Sequence, residues 1–235
     1  GSIVHQPCRI RLLTGTTAST NPDFATIFGF AKGGDLPIGS IDFSGLGYSG
    51  HLAASSGSVG HRSQLKALLD PDAMFQAPSW ADYDLPLFQP TESEEEAIRH
   101  LIESRAATFR AQRSDKGGFN DRRVDDLYVS LDRRQRLQAQ GLDIASTLPI
   151  GEEPSFALQA KLAVDLLDKG LCRAVTLQHF QSWDTHKANV LQHERFDDMF
   201  GIVGGMLSDL QSRGLLDKTL IVVCSEMART PRLNV

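Results

Sequence analysis

The sequence predicts an α/β fold built on a parallel sheet, and two similar units carry that reading. Phe156, Ala160, Ala163, Leu166 and Leu167 recur at helical spacing and lead into the run Leu171-Cys172-Arg173-Ala174-Val175-Thr176-Leu177-Gln178. Phe196, Phe200, Val203, Leu207 and Leu210 do the same ahead of Thr219-Leu220-Ile221-Val222-Val223-Cys224. Each unit reads as an amphipathic helix followed by a strand buried on both faces. Helix-strand alternation of this kind makes parallel sheets, so residues 173–177 and 220–224 are expected to lie parallel in one sheet.

The remaining elements follow in chain order. His5-Gln6-Pro7-Cys8-Arg9-Ile10-Arg11-Leu12-Leu13-Thr14-Gly15 reads as a short helix with Pro7 at its first position and Gly15 at its stop. Ile10, Leu13 and, as a third candidate, Leu12 turn inward, which leaves His5, Gln6 and Arg9 around an amino-terminal end whose free N–H groups and dipole suit a sulfate or phosphate. An ordinary capped surface helix is the alternative. Pro22 to Phe30 opens a second helix, and Leu36 to Asp42 reads as a strand or extended edge. Gly45 to Gly60 is a Gly/Ser-rich surface loop without phosphate-loop spacing, flanked by His51 and His61 as surface residues. From Glu92 to about Gly141 the chain turns helical and charged, with an acidic first turn, an amphipathic face through Ala97 and Leu101, and a second helix after Asp121. We read this stretch, at about 91–141, as a helical insertion or cap beside the sheet, open to a homo-oligomer contact.

Composition excludes several classes. The chain of 235 residues is 41% apolar and 23% charged, enough to bury a core without staples. A net charge of −5 argues against a general nucleic-acid binder, and Arg122-Arg123 and Arg133-Arg134-Gln135-Arg136 read as solvated helix faces. No apolar run is long enough to span a membrane, and no signal peptide is visible. The three cysteines do not form a disulfide framework. Cys172 and Cys224 fall in the expected buried strands, while Cys8 is either a reactive thiol beside Arg9 or a buried structural one.

Both strand exits carry candidate functional residues. Ligands in open α/β sheets bind outside the carboxyl ends of the strands. Trp183-Asp184-Thr185-His186 follows the first strand, and Ser225-Glu226 follows the second. Asp184, His186 and Glu226 together make an oxygen and nitrogen donor set suited to a divalent metal. The plainer alternative is a helix cap at Asp184 with a solvated His186.

The amino-terminal run resembles the sulfatase signature, in which a modified Cys or Ser precedes x-Pro-Ser-Arg-x-x-Leu-Leu-Thr-Gly. Pro7, Arg9, Leu12, Leu13, Thr14 and Gly15 fit, whereas His5 stands at the nucleophile position and Cys8 at the Ser, so formylglycine chemistry is excluded. The segment from Gly214 to Glu226 resembles the sulfatase stretch ending in Ser-Asp-Asn-Gly, with Glu226 in place of its metal-binding Asp. With Trp183-Asp184-Thr185-His186 and Ser225-Glu226-x-x-Arg229-Thr230-Pro231, the whole resembles an uncharacterised bacterial sulfatase-like domain-of-unknown-function family of the alkaline-phosphatase superfamily.

That resemblance implies a three-layer α/β/α sandwich and metal-dependent hydrolysis or binding of a sulfate or phosphate ester, on a small molecule or a polysaccharide. A divalent cation (Ca, Zn, Mg or Mn) would sit on Asp184, His186 and Glu226. Arg9 would hold the anion, and His5 would serve as nucleophile or general acid/base. A periplasmic or exported location goes with it. The alternative is a catalytically inactive binding or scaffold protein of the same fold. Against the family pattern, residues 1–235 read as one incomplete domain lacking the first strand and the C-terminal part.

Overall fold

Three short strands run parallel in the order β2-β1-β3, with β1 (Ser40–Asp42) between β2 (Ser56–Ser58) and β3 (Ala174–Thr176). Ser40 registers with Ser56 on one side and with Ala174 on the other. This is a computed structural model, and it describes residues 2–58, 91–113, 119–145, 154–179, 181, 183 and 190–225. Around the sheet stand α1 (Ser2–Thr14), α2 (Phe24–Lys32), α3 (Glu92–Arg113), α4 (Phe119–Ala145), α5 (Phe156–Asp168) and α6 (Leu191–Ser212). The architecture is mixed α/β, mostly helical, on a small open parallel sheet.

The unit from α5 to β3 forms, but β3 spans only Ala174–Thr176 and its residues are half-buried, where a strand buried on both faces was expected. The Ser155 hydroxyl accepts the Leu158 N–H at 3.3 Å and caps the helix start. Gly170, at φ 63°, ends it, with Leu171 N–H donating to the Leu166 carbonyl at 2.9 Å in a Schellman closure. Between these caps Leu162 and Leu166 face inward and join Ile38, Ile41, Phe43, Leu171 and Cys172 in the core. Burial of each large apolar side chain contributes about 1.5–3 kcal/mol. Leu137 and Ile144 of α4 enter the same core, so the charged helical stretch is tied to the sheet from below its exposed face.

Two contacts set α2 against β1. The Asp23 carboxylate accepts the Thr26 N–H at 2.7 Å as an N-cap and the Tyr48 N–H at 2.7 Å across the loop that leaves β1. At Gly29 a Cβ would stand 2.5 Å from the Gly39 carbonyl carbon, so only glycine lets the helix approach this closely. At the far side α6 packs on α5. There Arg213 donates to both carboxylate oxygens of Asp209, at 2.9 and 3.1 Å, and pairs with Asp165 at 2.8 Å and Asp168 at 3.2 Å.

The structure corrects four further expectations. Residues 220–224 do not join the sheet: Leu220, Val222 and Val223 are 86%, 73% and 55% exposed. An apolar run states what its side chains would bury, but a strand exists only where a neighbour's N–H and C=O groups lie opposite it. Cys224 is accordingly exposed, not buried. The stretch from Gly45 to Gly60 is more than a loop, since it holds a 3-10 helix over Gly50–Ser55 and then β2. Finally, α1 begins at Ser2, which puts Pro7 inside the helix instead of at its first position. The amides of Cys8 and Arg9 thereby gain acceptors four residues back, and the helix end expected at Pro7 to face an anion is absent.

Candidate functional site

The carboxyl edge of the sheet is where the strands release their chains into loops. After β1, the Asp42 carboxylate accepts the Ser44 N–H at 2.8 Å and the Gly47 N–H at 2.9 Å. Asp23 spends both oxygens on backbone amides of α2 and the same loop. These two carboxylates therefore shape the loop through their hydrogen bonds to its amides.

The exit from β3 is held differently. Gln159, wholly buried on α5, donates from Nε2 to the Pro154 carbonyl at 2.8 Å and accepts the Gln178 N–H on Oε1 at 2.9 Å. One residue later His179 turns its ring between Phe156, edge-on at 5.0 Å, and Trp183 at 5.3 Å. Its Nε2 lies 2.9 Å from Asp198 Oδ2 on α6, and its side chain is only 7% exposed. Nδ1 is buried without a hydrogen-bond partner. Trp183 packs in turn on Phe196 at 5.0 Å, and its carbonyl accepts from Gln192 Nε2 at 3.3 Å. His179 and Trp183 are thus both tied to α6.

A cavity of 360 Å³ opens beside this pair, between the first turn of α5 and the middle of α6. His179, Asp198, Phe156, Ala157 and Ile202 line it. Neither His179 nor Asp198 stands out in the sequence. A lone histidine after a strand has many ordinary roles, and its partner lies nineteen positions away on a helix whose stripe of Phe196, Phe200 and Leu207, expected to face inward, is 44%, 52% and 38% exposed. The signal that could have found it is the histidine's place just past the strand's carboxyl end.

The residues singled out from the sequence fare unevenly. Asp184, His186 and Glu226 lie outside the described residues, as does the His5 side chain. Arg9 is on α1, half-buried, with its Nε buried and unpartnered. Cys8 is exposed and free, not a buried structural thiol. Burial pushes the Cys172 thiol up to about 12, as expected of a small core residue. Among the described residues no three His, Cys, Asp or Glu side chains group closely enough to hold a metal, and no helix is long and apolar enough to cross a membrane.

Comparison with known proteins changes the family reading. Residues 48–235 match the model of DUF1501, described as a protein of unknown function. No curated protein and no solved structure matches the chain. The sulfatase and alkaline-phosphatase kinship inferred from the short motifs finds no family-level support in that match, and we withdraw it. Short motifs such as Arg-x-x-Leu-Leu-Thr-Gly also satisfy ordinary helix rules, so they can agree with a signature without common descent. With four-fifths of its length covered by that one model, the chain belongs to the DUF1501 family.

Proposed function

We propose that this protein hydrolyses, or at least binds, a sulfate or phosphate ester with the help of a divalent metal held by Asp184, His186 and Glu226. A fuller three-layer α/β/α arrangement goes with this reading. The observation that supports it is the anchored exit of β3: Gln159 holds the Gln178 N–H and His179 pairs with Asp198 of α6, just past the carboxyl end of a strand, where α/β ligands bind. The donor set fits, since carboxylate, imidazole and carboxylate suit Zn, Mn, Mg or Ca in differing degree.

When bound, the metal supplies Lewis-acid polarisation of an ester oxygen. The chain's own residues do the rest. Arg9, whose buried Nε has no partner, supplies a charge-assisted hydrogen bond to the anion. His5, one helical turn away on α1, moves a proton from the attacking water towards the leaving alkoxide. A binding or scaffold role without turnover is the second reading. It draws on the apolar residues that α2 exposes, with Phe24, Phe28 and Phe30 all more than half accessible.

The test is elemental analysis of the purified protein together with hydrolysis of p-nitrophenyl phosphate and p-nitrophenyl sulfate in added Mg, Mn, Ca or Zn. Stoichiometric metal is expected, with Asp184→Ala, His186→Ala and Glu226→Ala each losing metal and on the order of 100-fold in rate. Retained metal without turnover would select the binding role. Absence of both metal and turnover would end the metallo-hydrolase reading.

A further inference from the structure

We propose that the outward face of α2 is an interface with a second copy of this chain, a two-fold pair in which the two α2 helices pack antiparallel. The inner side of the helix is already occupied, with Thr26 and Gly29 buried towards the sheet. Phe24, Ile27, Phe28 and Ala31 stand at the i, i+3, i+4, i+7 spacing of one helical face, and all four are exposed. Phe30, one turn on from Ile27, widens that face. Phe24, Ile27, Phe28 and Phe30 are each between 42% and 59% exposed. Exposed apolar side chains are ordinary when scattered, but four large ones on a nine-residue helix make a continuous patch of the kind that marks an interaction site.

The face is presented rigidly. Asp23 caps the helix through the Thr26 N–H, Gly29 seats it on the Gly39 backbone, and Phe24 lies over Gly15 at the end of α1, where a Cβ would stand 3.1 Å from its Cζ. A surface already held in place gives up little further freedom on docking. Area and charge select a second copy as the occupant. The four large side chains leave on the order of 400 Å² of apolar surface in water, taking ~150–250 Å² for a whole aromatic side chain. Two such faces together remove about 800 Å² before any rim contact adds to it, near the ~1,000 Å² of a specific interface. The face carries no charge, so it meets its own image without opposing like charges. Lys32, at the end of α2, is the single charged residue of the helix. An antiparallel pair crossing at Phe28 keeps the two Lys32 residues about 12 Å apart along the axis and sets the helix dipoles against one another favourably, whereas a parallel pair would place the lysines side by side. The proposal rests on the same face as the scaffold reading and on nothing in the hydrolase reading.

Sedimentation equilibrium of the whole chain between about 1 and 100 μM tests this, in reducing buffer so that the exposed Cys8 and Cys224 cannot cross-link. A reversible dimer of twice the 25.8 kDa chain is expected. Phe28→Glu and Phe28→Lys should each weaken it by about 100-fold or more, because like charges then oppose across the two-fold axis. An equimolar mixture of the two variants should dimerise again, since opposite charges face one another. A monomer at every concentration, open-ended association without a defined dimer, or parental dimerisation in both charged variants would overturn the proposal. Binding of the monomer to phosphatidylcholine vesicles would overturn it in favour of a lipid surface. The mass of the parent needs no variant, so misfolding of either Phe28 variant leaves the test intact. Metal content and turnover enter none of these measurements, so a monomer would leave the hydrolase reading standing, and metal without turnover would still select the scaffold role.

Discussion

Gln159 Oε1 accepts the backbone N–H of Gln178 at 2.9 Å, joining the buried face of α5 to the chain as it leaves β3. The same side chain holds the Pro154 carbonyl through Nε2 at 2.8 Å, so one wholly buried amide pairs the approach to α5 with the exit of the strand that follows it. A buried side-chain amide with both ends satisfied rigidifies its surroundings and is expensive to lose.

Replacement of Gln159 by Leu keeps the volume and strands two polar groups. We expect Gln159→Leu to cost about 2–4 kcal/mol, as the Gln178 N–H and the Pro154 carbonyl lose their partners. Urea unfolding should show the midpoint falling with the slope unchanged. An unchanged midpoint would mean that solvent reaches these groups.

Gly29 tests how closely α2 must approach the sheet. In Gly29→Ala the new methyl would stand 2.5 Å from the Gly39 backbone, which cannot rotate away. The helix must move outward, at a cost of about 1–3 kcal/mol, even though alanine is the better helix former. Thermal melting of the variant above the parent would contradict the close packing.

Arg213 joins α6 to α5 through Asp165, Asp168 and Asp209, and those carboxylates raise its pKa above the ordinary arginine value. The group is about a quarter exposed, so screening discounts the network. Arg213→Met should cost about 1–2 kcal/mol at low salt and less at 1 M NaCl, the opposite of the salt response expected if the side chain served only by its apolar stem.

The three thiols should separate cleanly. Cys8 and Cys224 are exposed and Cys172 is buried, its thiol pushed up to about 12 from 9.0. Ellman's reagent should therefore titrate two thiols in the native protein and the third only on unfolding. The folded form holds the proton more tightly than the unfolded chain, so the contribution of Cys172 is fully present below pH 9.0 and is lost as pH rises through about 12. Cys172→Ala should flatten that part of the alkaline stability profile.

Much of the local structure was legible in the sequence because it follows from neighbours along the chain. The helical spacing of Phe156, Ala160, Ala163, Leu166 and Leu167 marks α5, and the structure adds its local caps, Ser155 at the start and Gly170 at φ 63° at the end. The stripe from Phe156 to Leu167 foretold both α5 and the strand after it. What the tertiary structure alone decided depends on partners distant in sequence. Residues 220–224 read as a strand, yet none forms without an opposing edge, and Pro7 fits a first turn or an interior depending on what residues 2–6 do. Asp184, His186 and Glu226 rest on the sequence alone. His179 and Asp198 show the converse, since neither residue advertises itself and only the packing of α6 against the exit of β3 brings an imidazole and a carboxylate within 2.9 Å. Helix caps and periodicity are set by interactions within one turn, whereas a buried polar pair exists only once the fold has closed the distance and removed the water around it.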